Sequence, residues 1–293
     1  MALYVSTNIS SLNAGRQLGK ATHSLDTTYK RLSSGLRINS SKDDAAGLQI
    51  SNRLTAQING LNQGNRNAND GIALAQTAEG ALDEVTNMLQ RIRTLDLQSA
   101  NGTNTTADRT SLQSEVAQLS SEIARISCKT TFAGNEILAG AGKGLLDSQG
   151  KLSLQVGANA NDTITVSLSV GFTISKMQAD STVSTKGITT DKKSFDVSTA
   201  TKAQNVLEGI DSFISFVDKA RGQLGAVQNR LESTIANQAN IAENEADARS
   251  RIRDTDYAEE AANLSQQTIV QQAASSMLTQ ANSRPQIALS LLG

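Results

Sequence analysis

The stretch RLSSGLRINSSKDDAAG, residues 31–47, ends one long helical pattern and begins another. Gly35 interrupts the first run. Asn39, Ser40 and Ser41 favour a turn, because their short polar side chains bond nearby backbone. Ser41 followed by Asp44 reads as an S-x-x-D helix start, with Asp43 and Asp44 where the helix dipole favours negative charge. The other end of the chain has a counterpart, RSRIRDTDYAEE at 249–260, in which Asp256 and Glu259 read as the restart signal. Each break lies about forty residues from its terminus. That symmetry predicts two chain ends folding beside each other; the competing reading is two unrelated helix breaks.

Composition narrows what those helices can build. A single proline leaves little to forbid long helices, and 3% aromatic residues with no tryptophan argue against a wide globular core. Thin cores of Leu, Ile, Val and Ala between long helices suit these numbers. Lys and Arg total 27 against 28 Asp and Glu, a net charge of -1, and no basic patch points to nucleic acid. The start, MALYVSTNISSLNAG, lacks the charged and apolar regions of a secretory signal peptide, and no run of about 18 apolar residues could span a membrane. Cys128, the only cysteine, excludes an intramolecular disulfide framework and reads as a small, partly buried residue.

Within residues 8–33, Leu18, Thr22, Leu25, Tyr29 and Leu32 form a narrow seam for a partner helix. From Ala45 to about Leu97 a second stripe runs through Leu54, Ile58, Leu61, Ala68, Ile72 and Ala75, then Ala78, Leu82, Val85, Leu89 and Ile92. Gly60, Gly64, Gly71 and Gly80 each cost this helix roughly 1 kcal/mol relative to Ala, so packing must hold it. A bend near Asn69–Gly71 is open. After a polar turn at 100–107, Leu112, Val116, Leu119, Ile123 and Ile126 continue as an antiparallel hairpin partner. Alternation then replaces helical spacing: Leu152, Leu154 and Val156, and Ile164, Val166 and Leu168, read as a β-hairpin. Residues 178–200 read as an exposed loop or weak strand.

The next stripe runs from Val206 through Ile210, Phe213, Val217, Ala220, Leu224, Val227 and Leu231, continuing to Ile241, Ala248 and Ile252. The last helix presents Ala262, Ile269, Val270, Ala273, Ala274, Met277 and Leu278, with Pro285 expected to end it. The tail QIALSLLG is unusually apolar for a terminus, and Ile287, Leu289, Leu291 and Leu292 need a partner surface. His23 is the only histidine, so His-based metal sites and catalytic triads have no residues to form them. Phosphate-binding glycine loops are absent as well. The reading is a non-enzymatic, mainly α chain without cofactors, pairing its N- and C-terminal segments around a small central β-hairpin.

Longer motifs then become informative. TNISSLNAGRQL, RLSSGLRINSSKDDAAGLQISNRL and NANDGIALAQTAEGAL on the N-terminal side resemble bacterial flagellin, as do ARGQLGAVQNRLESTI, SRIRDTDYAEEAANL and MLTQANSRPQIALSLLG on the C-terminal side. The resemblance covers about 1–140 and 200–293, in order and at matching distances from the ends. It implies an inner coiled-coil domain from 1–44 with 254–293, and an outer core from 45–130 with 201–253. The breaks become connecting spokes, carried here by Arg37, Asn39, Asp43, Asp44, Arg253, Asp254 and Asp256. Residues 131–200 hold the hairpin and an outward-facing variable segment; lacking an apolar stripe, its Ser/Thr-rich part, 180–201, reads either as a place for O-linked sugars or as an unmodified loop.

The resemblance also implies polymerisation into the flagellar filament. Leu18, Leu25, Leu32, Ile269, Met277 and Leu278 would act there with the apolar tail. Terminal helices that are marginal alone gain stability from neighbouring copies. Further implied partners are an export chaperone and the export apparatus, the filament cap and hook–filament junction proteins, with the product secreted to the flagellum. A host Toll-like receptor is implied too: its matching contacts are Arg91 and Leu95, four apart on one helix, and Glu115 on the next. A junction protein and a non-polymerising coiled-coil adhesin or adaptor are the alternatives.

Overall fold

The structure, a computed structural model, describes residues 7–168, 171–180, 183–184 and 186–290. In order it forms α1 (Ile9–Ser34), α2 (Ala45–Ala100), α3 (Thr106–Lys129), β1 (Thr131–Phe132), β2 (Asn135–Glu136), β3 (Lys151–Gln155), β4 (Thr163–Ser167), α4 (Ile174–Met177), α5 (Ala200–Arg253) and α6 (Tyr257–Ser290). The chain is mainly α, as expected. Two compact units result: Met1–Ile58 with Glu243–Gly293, and Asn59–Ala242. Their boundaries fall inside α2 and α5 rather than at the two breaks.

In the unit of residues 59–242, the stripes of α2, α3 and α5 close one core. Leu82, Val85, Leu89 and Ile92 meet Val116 and Ile123 of α3 and Val206, Ile210, Phe213 and Val217 of α5. At their surface, Arg221 pairs with Asp83 at 2.8 Å and Gln228 bonds Glu79 at 2.7 Å. α2 shows no break at Asn69–Gly71. Thr105 caps α3, and Asp108 returns the bond to complete a capping box. The sequence signals this cap in the T-x-x-D of Thr105 and Asp108, inside and just after the polar turn.

The β-hairpin has the expected register, with Leu152 opposite Val166 and Leu154 opposite Ile164. It lies against helix backbone: Asn67 of α2 donates to the Gln155 carbonyl at 2.8 Å, and Gln238 of α5 donates to that of Val156 at 2.6 Å. Gly60, Gly64 and Gly71 leave room for this approach, since a Cβ on each would meet Ala158, Val156 or Leu154.

Residues 178–200 differ from the expected exposed loop. Val183, Phe195 and Val197 are buried in the same core, and Phe195 meets Phe213 edge-to-face with centroids 5.1 Å apart. Up to residue 199 its described residues form no helix or strand beyond an isolated Ile188–Phe195 bridge, so its apolar side chains carry no sustained period by which burial could be read.

Candidate assembly and recognition surfaces

The unit built from the chain ends brings the two breaks together. Gly35, in the left-handed region at φ 71°, ends α1 and places its carbonyl to accept from Thr255 N–H at 3.0 Å. Leu36 and Asp254 form an isolated antiparallel bridge. Arg37 binds the second break twice, through its backbone N–H to the Arg253 carbonyl at 2.7 Å and through its guanidinium to the Ile252 carbonyl at 2.6 Å. Asn39 returns to the end of α1, donating to Ser34 Oγ at 2.6 Å.

The acidic residues divide the capping work differently from the expected Ser41–Asp44 start. Asp43 Oδ2 accepts from the backbone N–H of Ser40 at 2.8 Å and of Asn39 at 3.1 Å, which closes the turn. Those bonds, led by the Ser40 N–H, hold its carboxyl below the usual range. Asp44 itself caps α2, accepting from Ala46 N–H at 3.0 Å and Gly47 N–H at 2.9 Å. Asp256 caps α6 in the same way, accepting from Ala258 N–H at 2.8 Å. Ser41 takes no part, because two adjacent carboxylates outcompete a hydroxyl for free helix-end donors.

α1 and α6 run antiparallel. Asn8 donates to the Ala281 carbonyl at 2.7 Å at one end, and Arg31 lies 3.8 Å from Glu260 at the other. Their seam selects smaller residues than expected. Ala21, Leu25 and Thr28 are buried on α1, with Leu18 and Leu32 partly so, whereas Thr22 and Tyr29 face solvent. On α6 the seam uses Ala274, Ala281 and a partly buried Leu278, while Ile269 and Met277 are 66% and 65% exposed. Small residues thus hold several of the buried positions, while Ile269 stays in solvent and Met277 borders a groove that it shares with Ala14 and Gln17 of α1. Ile9, Leu12 and Val270 join that exposed set. Ile241 near the end of α5, expected inside the stripe, is also exposed.

α6 continues through Pro285 to Ser290 instead of stopping there. The ring removes one hydrogen bond but holds φ near a helical value. Ile287 and Leu289 lie on the last turns of α6, and Leu291 and Leu292 fall outside the described residues.

In the other unit, Arg91 and Glu115 are surface residues bonded to each other, Nε and Nη2 donating to Oε1 at 3.0 and 2.7 Å. Leu95 does not stand beside them as an exposed anchor. It is 2% exposed and packs in the core, and the apolar residue α2 offers to solvent here is Leu97, at 52%. Four residues along a helix is 400°, and that drift carries Leu95 onto the inner face.

The bacterial flagellin N-terminal helical region matches residues 5–143, and the C-terminal helical region matches 207–292. Flagellin D of Vibrio anguillarum is 38% identical, each chain being covered in full. The chain belongs to the bacterial flagellin family. Polar flagellin F of Vibrio parahaemolyticus is 37% identical over the whole of both chains. The alignment to flagellin D runs to 379 positions against 293 residues here, so that flagellin carries residues this one lacks. A crystal structure of Bacillus cereus flagellin is similar with a TM-score of 0.48 and 28% identity, covering 59% of this chain and 88% of that one. Flagellins are structural proteins. Among the described residues, no group of three or more His, Cys, Asp or Glu could hold a metal ion, and no helix is long and apolar enough to cross a membrane.

Proposed function

We propose that the chain is a structural subunit of the bacterial flagellar filament, polymerising through its paired terminal helices to serve swimming motility. The observation that carries this reading is the set of large apolar side chains, Ile9, Leu12, Ile269, Val270 and Met277, that the α1–α6 pair leaves in solvent. A lone monomer gains nothing from such a surface. A heterologous contact repeated from copy to copy buries it without closing, which generates an open helical polymer. In this reading residues 1–44 with 254–293 form the inner coiled coil; Arg37, Arg253 and Asp254 tie the spokes together, and Asn39 braces the first against the end of α1. The export apparatus and a chaperone on the C-terminal helix deliver the chain to the extracellular filament, where cap and hook–filament junction proteins are its neighbours. Seeding purified monomer with filament fragments tests the function. Long filaments by electron microscopy support it, and persistent monomers favour a non-polymerising adhesin.

A host Toll-like receptor is the further partner of this reading, contacted by Arg91 and Glu115 on monomers. Both side chains are about half exposed, at 55% and 43%, and Leu95 supports them from the core rather than touching the partner. In a receptor-reporter assay with monomer, Arg91→Ala and Glu115→Ala are each expected to weaken signalling about tenfold, the size of a 1–2 kcal/mol interface contact. Equal signalling by both variants and the unaltered monomer would exclude this surface.

A further inference from the structure

Asp96 interrupts the core stripe of α2. It lies one turn beyond Ile92 and three residues before Ser99, and all three are fully buried. Among the described residues neither oxygen of its carboxyl has a hydrogen-bond partner. Buried carboxyls ordinarily bond or pair, so an orphan one in an apolar core is costly when charged.

Its neighbourhood is bracketed on both sides. Toward the start of α2, Arg93 bonds Asp211 of α5 at 2.8 Å, and Arg91 bonds Glu115 of α3. Toward the end, Ser99 Oγ donates to the Val197 carbonyl at 2.7 Å. Arg109 of α3 donates to the carbonyls of Ser99 and Asn101, both at 2.9 Å. Gln113 completes the arrangement, donating to the Phe195 carbonyl at 2.9 Å and accepting from Val197 N–H at 2.6 Å. Lys202 of α5 is taken by Asp196 at 2.7 Å. Arg91, Arg93, Arg109 and Lys202 are therefore each engaged elsewhere. Burial alone, with no opposing charge, raises its carboxyl from 3.8 to about 7.

We propose that Asp96 is a proton-dependent weak point of this unit: protonated, it is a neutral core group, and ionised, it loosens the clasp joining the end of α2 to α3 and residues 195–199. The sign follows from linkage. The folded chain keeps a proton that the unfolded chain releases above about pH 4, so folding is favoured least where Asp96 must ionise. The stability it costs is absent below the ordinary carboxyl range, grows as pH rises toward 7, and stays constant above it.

Full-length monomer, Asp96→Asn and Asp96→Ala are compared by urea unfolding followed by circular dichroism at pH 5 to 8. The unfolding constant of the unaltered chain, divided by that of either variant, is expected to rise about tenfold per pH unit up to pH 7 and then level off. Amide signals of Ser99 and Val197 in NMR spectra should shift with the same midpoint in the unaltered chain and stay still in Asp96→Asn. A ratio independent of pH for both variants, or an Asp96 carboxyl carbon signal titrating near 3.8, overturns the proposal.

Discussion

A chain carrying Ile269→Ser and Met277→Ser is expected to stay monomeric where the unaltered chain seeds into filaments. Both side chains are about two-thirds exposed on α6, Met277 at the edge of a groove shared with Ala14 and Gln17 of α1, while Ala274, Leu278 and Ala281 are the more buried positions. The substitutions therefore change no buried position of the α1–α6 pair or of the core of residues 59–242. Burying each side chain against a neighbouring copy is worth about 1.5–3 kcal/mol. Losing two raises the concentration needed for assembly by about 10²–10⁴. Serine is a moderate helix former, so helicity by circular dichroism should change little. Sedimentation and negative-stain microscopy on matched samples read the outcome. Filaments of normal length at the usual concentration would place the assembly contacts elsewhere.

The outer face of α6 could be found only by separating two kinds of apolar residue that a period-seven pattern merges. Periodicity in the sequence ranks side chains by size and hydropathy, and so it put Thr22 and Tyr29 in the α1 seam beside Leu25. The folded pair instead buries Ala21 and Thr28. Which residues a seam covers is decided by the partner helix, and nothing in a single helix reveals where that partner lies. Long stripes are safer. Those of α2 and α5 in the unit of residues 59–242 held, because many positions along each agree on one face. Leu95 could have been assigned by the same logic, since the line through Leu89 and Ile92 leads to the 95, 96 and 99 positions. A resemblance drew it outward instead. Phe195 and Val197 were illegible for another reason: a segment whose described residues form only an isolated bridge can bury single side chains at any spacing. The pairing of the two breaks was readable, since each break shows its own turn and restart residues. Asp43 and Asp44 show where that reading stops, because which of two adjacent carboxylates caps the helix depends on backbone geometry.

Glycines in α2 give the second large effect, and helix propensity predicts its sign wrongly at one of two positions. Gly→Ala inside an exposed helix stabilises by about 1 kcal/mol. Gly80 fits that rule: it is exposed, and an added Cβ would meet nothing within 4 Å. At Gly64 a Cβ would stand 1.8 Å from the Val156 carbonyl oxygen and 2.7 Å from its carbon. That carbonyl is backbone, held by Gln238 at 2.6 Å, and Val156 N–H is in turn bound to the Asp162 carbonyl at 3.0 Å. No rotamer change can relieve the overlap. The hairpin must lift from α2, which breaks the buried Gln238 bond and uncovers Val156 and Ile164 beside Ala68 and Leu231. Overpacking plus one orphaned buried amide outweighs the propensity gain, and a net loss of about 3 kcal/mol is expected for Gly64→Ala. Gly80→Ala should move the urea midpoint of the full-length monomer upward and Gly64→Ala should move it well downward. A stabilised Gly64→Ala chain would mean that the hairpin does not rest on this face of α2. The glycines would then be left as an uncompensated cost in a long helix.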